Sequence, residues 1–109
     1  MPVRSLIHMA LHIAVPGLLA WRYGRPAWRQ AWMLMLAGII VDVDHLLARP
    51  IFDAHRCAIG FHPLHTEWAI AAYVVVAIIP ITRWVGSGLL IHMGLDAVDC
   101  VWIALGLTP

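Results

Sequence analysis

Four apolar runs separated by short polar breaks dominate the chain, at about residues 3–21, 31–48, 63–81 and 84–107. Each run holds roughly 17–24 residues, enough for a helix to cross about 30 Å of hydrocarbon. No stretch alternates polar and apolar residues with period two, so a membrane β-barrel is not indicated. The pattern predicts an all-α integral membrane protein, a four-transmembrane-helix up-down bundle forming one domain over residues 1–109. The breaks fit this division. Residues 21–26 read as a turn, with Pro26 placed to start the next helix. Residues 49–62 form the longest polar connection, and residues 80–88 read as a tight hairpin around Arg83, with the turn at 82–86. Pro16-Gly17 predicts a kink that neighbouring helices can tolerate. The first run is read as a retained span, not a signal peptide, because two His interrupt it and no small-x-small cleavage site follows.

Composition narrows the class further. The chain is 62% hydrophobic and 12% charged, against about 45–50% and about 25% for a soluble domain. A water-soluble fold, a disordered chain and a nucleic-acid binder are excluded as expectations. All seven basic residues are Arg, and seven His stand beside six carboxylates. The short turns carry Arg22, Arg25, Arg29 and Arg83; the other side carries Arg4, Arg49 and Arg56. The positive-inside bias places the turns in the cytoplasm and both termini, with the 49–62 loop, on the periplasmic side.

Against the apolar background four polar signatures stand out: His8-x3-His12, Asp42-Val43-Asp44-His45, His62-x2-His65 and His92-x3-Asp96-x2-Asp99. At about 100° per residue, spacings of three, four and seven return to one helix face. His8 shares a face with His12, Asp42 with His45, and His92 with Asp96 and Asp99. Asp44 points elsewhere unless the helix is already unwinding there. In an up-down bundle all four stripes reach one side of the membrane. A single His in a span is often a hydrogen-bonded packing residue. Many ionisable groups converging on one level indicate function instead, because buried carboxylates are costly unless compensated. Imidazole with carboxylate is a ligand set for a divalent metal, Zn2+ being the natural choice, and the number of ligands allows one or two ions. The expected ligands are His8, His12, Asp42, His45, His62, His65, His92 and Asp96.

Other residues add less. Glu67 lies about 200° from His65 on a helix and is assigned an interfacial role. No His-Glu-x-x-His, nucleophile elbow or phosphate loop is present. Cys57 and Cys100 fall on the same side, where they can form a disulfide, remain packing thiols or offer a soft ligand.

The Asp42-Val43-Asp44-His45 motif, followed by a His-rich loop and His92-x3-Asp96, resembles the bacterial membrane-bound metal-dependent hydrolases of the LexA-regulated inner-membrane type. His8 or His12 would be that group's early His, and Asp42, Asp44, His45, His92 and Asp96 match its motifs. Its third motif differs, reading His62-Pro63-Leu64-His65-Thr66 with His55-Arg56 upstream. The Arg-Cys-x-Ile-Gly-Phe-His-Pro-Leu-His loop also resembles that of a small uncharacterised family of four-span bacterial proteins. The resemblance implies a metal-dependent hydrolase of the bacterial inner membrane. On that reading Asp44 or Asp99 is the general base. Arg4, Arg49 and Arg56 bind a lipid-like phosphoester at the membrane surface, although for each Arg alone snorkelling to headgroups is the commoner role. Membrane lipids are the expected partners, nucleic acid is not, and an oligomer is compatible with the sequence. The alternative is a membrane protein that binds or transports metal ions without hydrolysis. An apolar cytoplasmic half disfavours a channel, and the Asp residues beside the His disfavour bis-His haem.

Overall fold

The computed structural model describes residues 3–49, 53 and 55–106, and all regular structure among them is helical. Helix α1 spans Val3–Tyr23 and α2 spans Trp28–Leu36. From α2 the chain continues into an eleven-residue 3₁₀ segment, Ala37–Leu47. Helix α3, Glu67–Ile78, is entered through the 3₁₀ turn Pro63–His65 and left through the 3₁₀ turn Pro80–Thr82; α4 runs over Arg83–Ala104. Three segments, Val3–Tyr23, Trp28–Leu47 and Pro80–Ala104, are long and apolar enough to cross a membrane.

The third apolar run differs from the expected unbroken span at 63–81. Its α-helical part has 12 residues, about 18 Å at 1.5 Å per residue, well short of about 30 Å. Pro63 and Pro80, which lack a backbone N–H, open the flanking 3₁₀ turns, and extended Thr66 (ψ 168°) separates the first turn from α3. The expected turn at 82–86 is also displaced. The α3–α4 connection lies at residues 79–82, where the Thr82 hydroxyl donates to the Val76 carbonyl at 2.7 Å. Residues 50–52 and 54 of the expected 49–62 loop, and Leu107 at the end of the fourth run, lie outside the described residues.

Gly86 and Gly88, within the hairpin expected at 80–88, sit inside α4, where they serve close packing. A Cβ on Gly86 would lie 2.2 Å from the Ala77 nitrogen, and one on Gly88 would lie 2.3 Å from the Met35 carbonyl oxygen. Small residues let helix backbones touch where apolar burial supplies little drive, as in lipid. Helix α4 is thus central, packing on α1, α2, α3 and the Ala37–Leu47 segment. Helix α1 continues through Pro16. Trp32 Nε1 donates to the Ile13 carbonyl at 2.9 Å, and its ring lies 3.0 Å from where a Gly17 Cβ would stand.

The polarity of the molecule is inverted relative to a protein in water. Arg4, His12, Asp44, His62, His65, His92 and Asp96 are buried, whereas Leu18, Met33, Ile40, Leu47 and Ile81 face outward, Ile81 at 92% exposure. Two small apolar clusters complete the interior. One joins Ala20, Ala31 and Met35; the other, Val41, Tyr73, Leu89 and Met93, contributes neighbours of the polar cluster.

Candidate metal centre

Four parts of the chain build the site: the first half of α1, the end of the Ala37–Leu47 segment, the turn before α3 and the second half of α4. In α1 and α4, spacing by four stacks His8 on His12 and His92 on Asp96. The 3₁₀ winding decides the rest. At three residues per turn Asp42 and His45 eclipse, and Asp44 swings to about 120° from Asp42 instead of nearly opposite it. Asp44 is therefore buried, with only 2% of its side chain exposed. In the turn before α3, backbone bonds from Gly60 N to His65 O and from His62 N to Ala58 O fold residues 58–65 back on themselves. Gly60 takes a positive φ of 79° to allow it.

At the centre, Asp42, His65, His92 and Asp96 each offer one atom to a common point. His65 Nε2 lies 3.0 Å from Asp96 Oδ2, 3.3 Å from Asp42 Oδ1 and 3.3 Å from His92 Nε2. His92 Nε2 lies 3.0 Å from Asp42 Oδ1 and 3.2 Å from Asp96 Oδ2. These separations approximate the edges of a tetrahedron whose corners lie about 2.0 Å from its centre, the distance of nitrogen and oxygen ligands from zinc. The chemistry of the donors fits too. Asp44 Oδ2 accepts from His65 Nδ1 at 2.9 Å and from the Leu64 amide at 2.8 Å. A proton on Nδ1 leaves the His65 Nε2 lone pair directed at the cluster, the carboxylate–histidine arrangement that supports bound metals. Asp96 Oδ2 is buried and has no hydrogen-bond partner among the described residues. A divalent cation could be held by all four donors at once.

Two further groups adjoin it. His8 and His12 approach the other oxygen of Asp96: the Nε2 atoms lie 3.0 and 3.2 Å from Oδ1. His12 Nδ1 is 2.8 Å from the His8 carbonyl oxygen, to which it donates. Asp44, His45 and His62 form a looser group, with the His45 and His62 rings stacked at 3.9 Å between centroids. Burial holds the His62 pKa below the ordinary imidazole value, and the facing His45 lowers it further. His45 Nδ1 donates to the Asp42 carbonyl at 3.1 Å.

Of the other residues singled out in the sequence, Arg4 and Asp99 are brought together as a largely buried ion pair, and His8 Nδ1 lies 3.9 Å from Asp99 Oδ1. Arg56 places its guanidinium 4.9 Å from the Phe61 ring centroid. Arg4, Arg56, His8, Asp42, Asp96 and Asp99 contribute to the wall of one cavity of about 360 Å³. Arg49 and Glu67 are exposed. Cys57 and Cys100 form a disulfide that ties the loop to α4. Sequence reasoning missed Tyr73, whose hydroxyl donates to the Leu64 carbonyl at 2.7 Å and anchors the turn carrying His65. Within an apolar run, a lone Tyr gives no sign of that partner.

The fold and site define a helical protein with three helices of membrane-crossing length and clustered His/Asp groups able to hold a metal ion. The model of a family of unknown function, DUF6122, matches residues 2–103, and the chain belongs to that family. No curated protein and no solved structure matches the chain.

Proposed function

We propose that this is an integral-membrane, metal-dependent hydrolase, with zinc at the Asp42–His65–His92–Asp96 cluster and a lipid-like phosphoester as substrate. One observation carries the reading: two of the four clustered ligands, Asp42 and Asp96, line a cavity of about 360 Å³ whose wall also includes Arg4 and Arg56. A divalent ion there would polarise a phosphoryl oxygen and lower the pKa of water. Asp44 holds His65 in the ligating tautomer and orientation. Arg56, whose guanidinium can grip phosphate oxygens in a fork, binds the headgroup. Asp99 is the candidate proton acceptor; its pairing with Arg4 orients it at the cavity wall.

The outward-facing apolar side chains and the resemblance to bacterial inner-membrane hydrolases support a four-span arrangement in that membrane, with α3 and its flanking turns as the shortest crossing. The Cys57–Cys100 bridge on the site's side supports a periplasmic site, since disulfides persist in oxidising compartments.

The test is hydrolysis by purified protein in detergent, metal-loaded against metal-stripped, on panels of phospholipids and soluble phosphomonoesters. Metal-dependent turnover is expected on an anionic lipid. Arg56→Gln should lower that turnover about tenfold, the effect of one lost charge-assisted hydrogen bond, while leaving metal content unchanged. Absence of metal-dependent turnover on every ester would favour ion binding or transport instead.

A further inference from the structure

We propose that the chain holds a second divalent cation, at His8 Nε2, His12 Nε2 and Asp96 Oδ1, and that the Asp96 carboxylate bridges it to the ion at the central cluster. The inference rests on the metal-centre reading above and adds a distinct site with a distinct role.

Three observations point to it. The first is the division of Asp96: one oxygen faces His65 and His92, at 3.0 and 3.2 Å, and the other faces His8 and His12, at 3.0 and 3.2 Å. One buried carboxylate thus serves two groups of imidazoles on its opposite sides. The second is the state of His12. Its side chain is only 8% exposed, and its Nε2 has no hydrogen-bond partner among the described residues. With Nδ1 donating to the His8 carbonyl, Nε2 carries a lone pair facing a carboxylate oxygen. Two lone pairs held 3.2 Å apart in a dry interior repel unless a proton or a metal cation lies between them, and a metal there would satisfy His8 as well.

The third observation is access. The central cluster offers four protein ligands, so an ion there takes on water or substrate only by expanding its coordination, whereas the His8–His12–Asp96 group offers three and leaves a position open. His8 borders two cavities. One, of about 360 Å³, also has Arg4, Arg56 and Asp99 in its wall; the other, of about 290 Å³, is walled by Met9, Ile13 and Ile39 together with His12 and Asp42. The open position therefore lies where a polar headgroup and an apolar tail can both be accommodated. The second ion would add a more open coordination position beside the central one. Paired ions sharing a carboxylate can clamp both oxygens of a phosphoester.

Metal counting tests this without any assay of turnover. The intact protein, purified in detergent and stripped by chelation, is titrated with Zn2+, desalted and analysed for zinc per chain, with helical content followed by circular dichroism. The expected result is two zinc ions for the wild type and one for both His12→Gln and His8→Ala. His8, a quarter exposed, tolerates truncation and carries the test if His12→Gln does not fold. Loading with Co2+ gives a second readout: the two cobalt spins should couple through Asp96, and His8→Ala should restore the spectrum of an isolated ion. One zinc in the wild type, or two retained in His8→Ala, overturns the second site while leaving the single-ion hydrolase reading standing. No bound zinc at all overturns both.

Discussion

The two ends of the bundle are held together by opposite means. At the end remote from the His/Asp groups, Ala20, Ala31 and Met35 pack against α4 near Gly88, where backbone touches backbone. At the other end, Arg4, Asp44, His65, His92 and Asp96 are buried, and contacts run through directional polar atoms. Close contact between small residues needs nothing beyond the chain. Convergent carboxylates and imidazoles need protons or a cation to offset their desolvation. One end is therefore self-sufficient, and the other depends on the protons or cation that offset its buried charges.

The largest break in this comparison should come from His65→Ala. His65 is fully buried and touches Asp42, Asp44, Asp96 and His92. Removing it leaves buried carboxylates uncompensated, at a cost of about 3–5 kcal/mol, and should abolish zinc binding at the central cluster. Thermal unfolding in detergent and metal analysis check both effects, and added zinc should not restore stability. Gly88→Ala attacks the self-sufficient end. Its new Cβ meets Met35 backbone, which cannot yield like a side chain, so a loss near the top of the overpacking range, about 3 kcal/mol, is expected. That loss should be the same with and without zinc, which distinguishes it from His65→Ala in paired melts. The smallest effect should come from Asp44→Asn. The amide keeps an acceptor for His65 Nδ1 but loses the charge, so zinc affinity should fall about 10–100-fold with the fold intact. Competition against a chromophoric chelator measures it. An unchanged affinity would remove Asp44 from its supporting role.

The stripes on α1 and α4 were legible because those segments are regular α-helices, in which spacing by four means adjacency. His8 with His12, and His92 with Asp96, follow directly. The reading weakens wherever the winding departs from 100° per residue. Asp44 is hidden from α-helical arithmetic because the Ala37–Leu47 segment winds as 3₁₀. His62 and His65 are spaced like neighbours on one face, yet they join different groups because they flank the entry to a turn. The third apolar run was legible as apolar but not as interrupted, since Pro63 and Pro80 are compatible both with a helix start and with a 3₁₀ turn. Gly86 and Gly88 fall in the hairpin that the sequence predicts at 80–88, because a glycine pair signals conformational freedom and close approach alike. Only the neighbouring helices, α3 at Ala77 and α2 at Met35, decide between them.

The long 3₁₀ segment also changes how far the second apolar rod reaches. A 3₁₀ helix rises about 2.0 Å per residue against about 1.5 Å for an α-helix. Trp28–Leu47, twenty residues long, therefore extends about 35 Å instead of about 30 Å. In a bilayer with a hydrocarbon slab of about 30 Å, the surplus is absorbed by tilt or by protrusion. Protrusion at the 3₁₀ end lifts Asp42, Asp44 and His45 toward the headgroup layer. The change in pitch can thus bring a polar site to the depth of water and lipid phosphate without adding a residue to the chain.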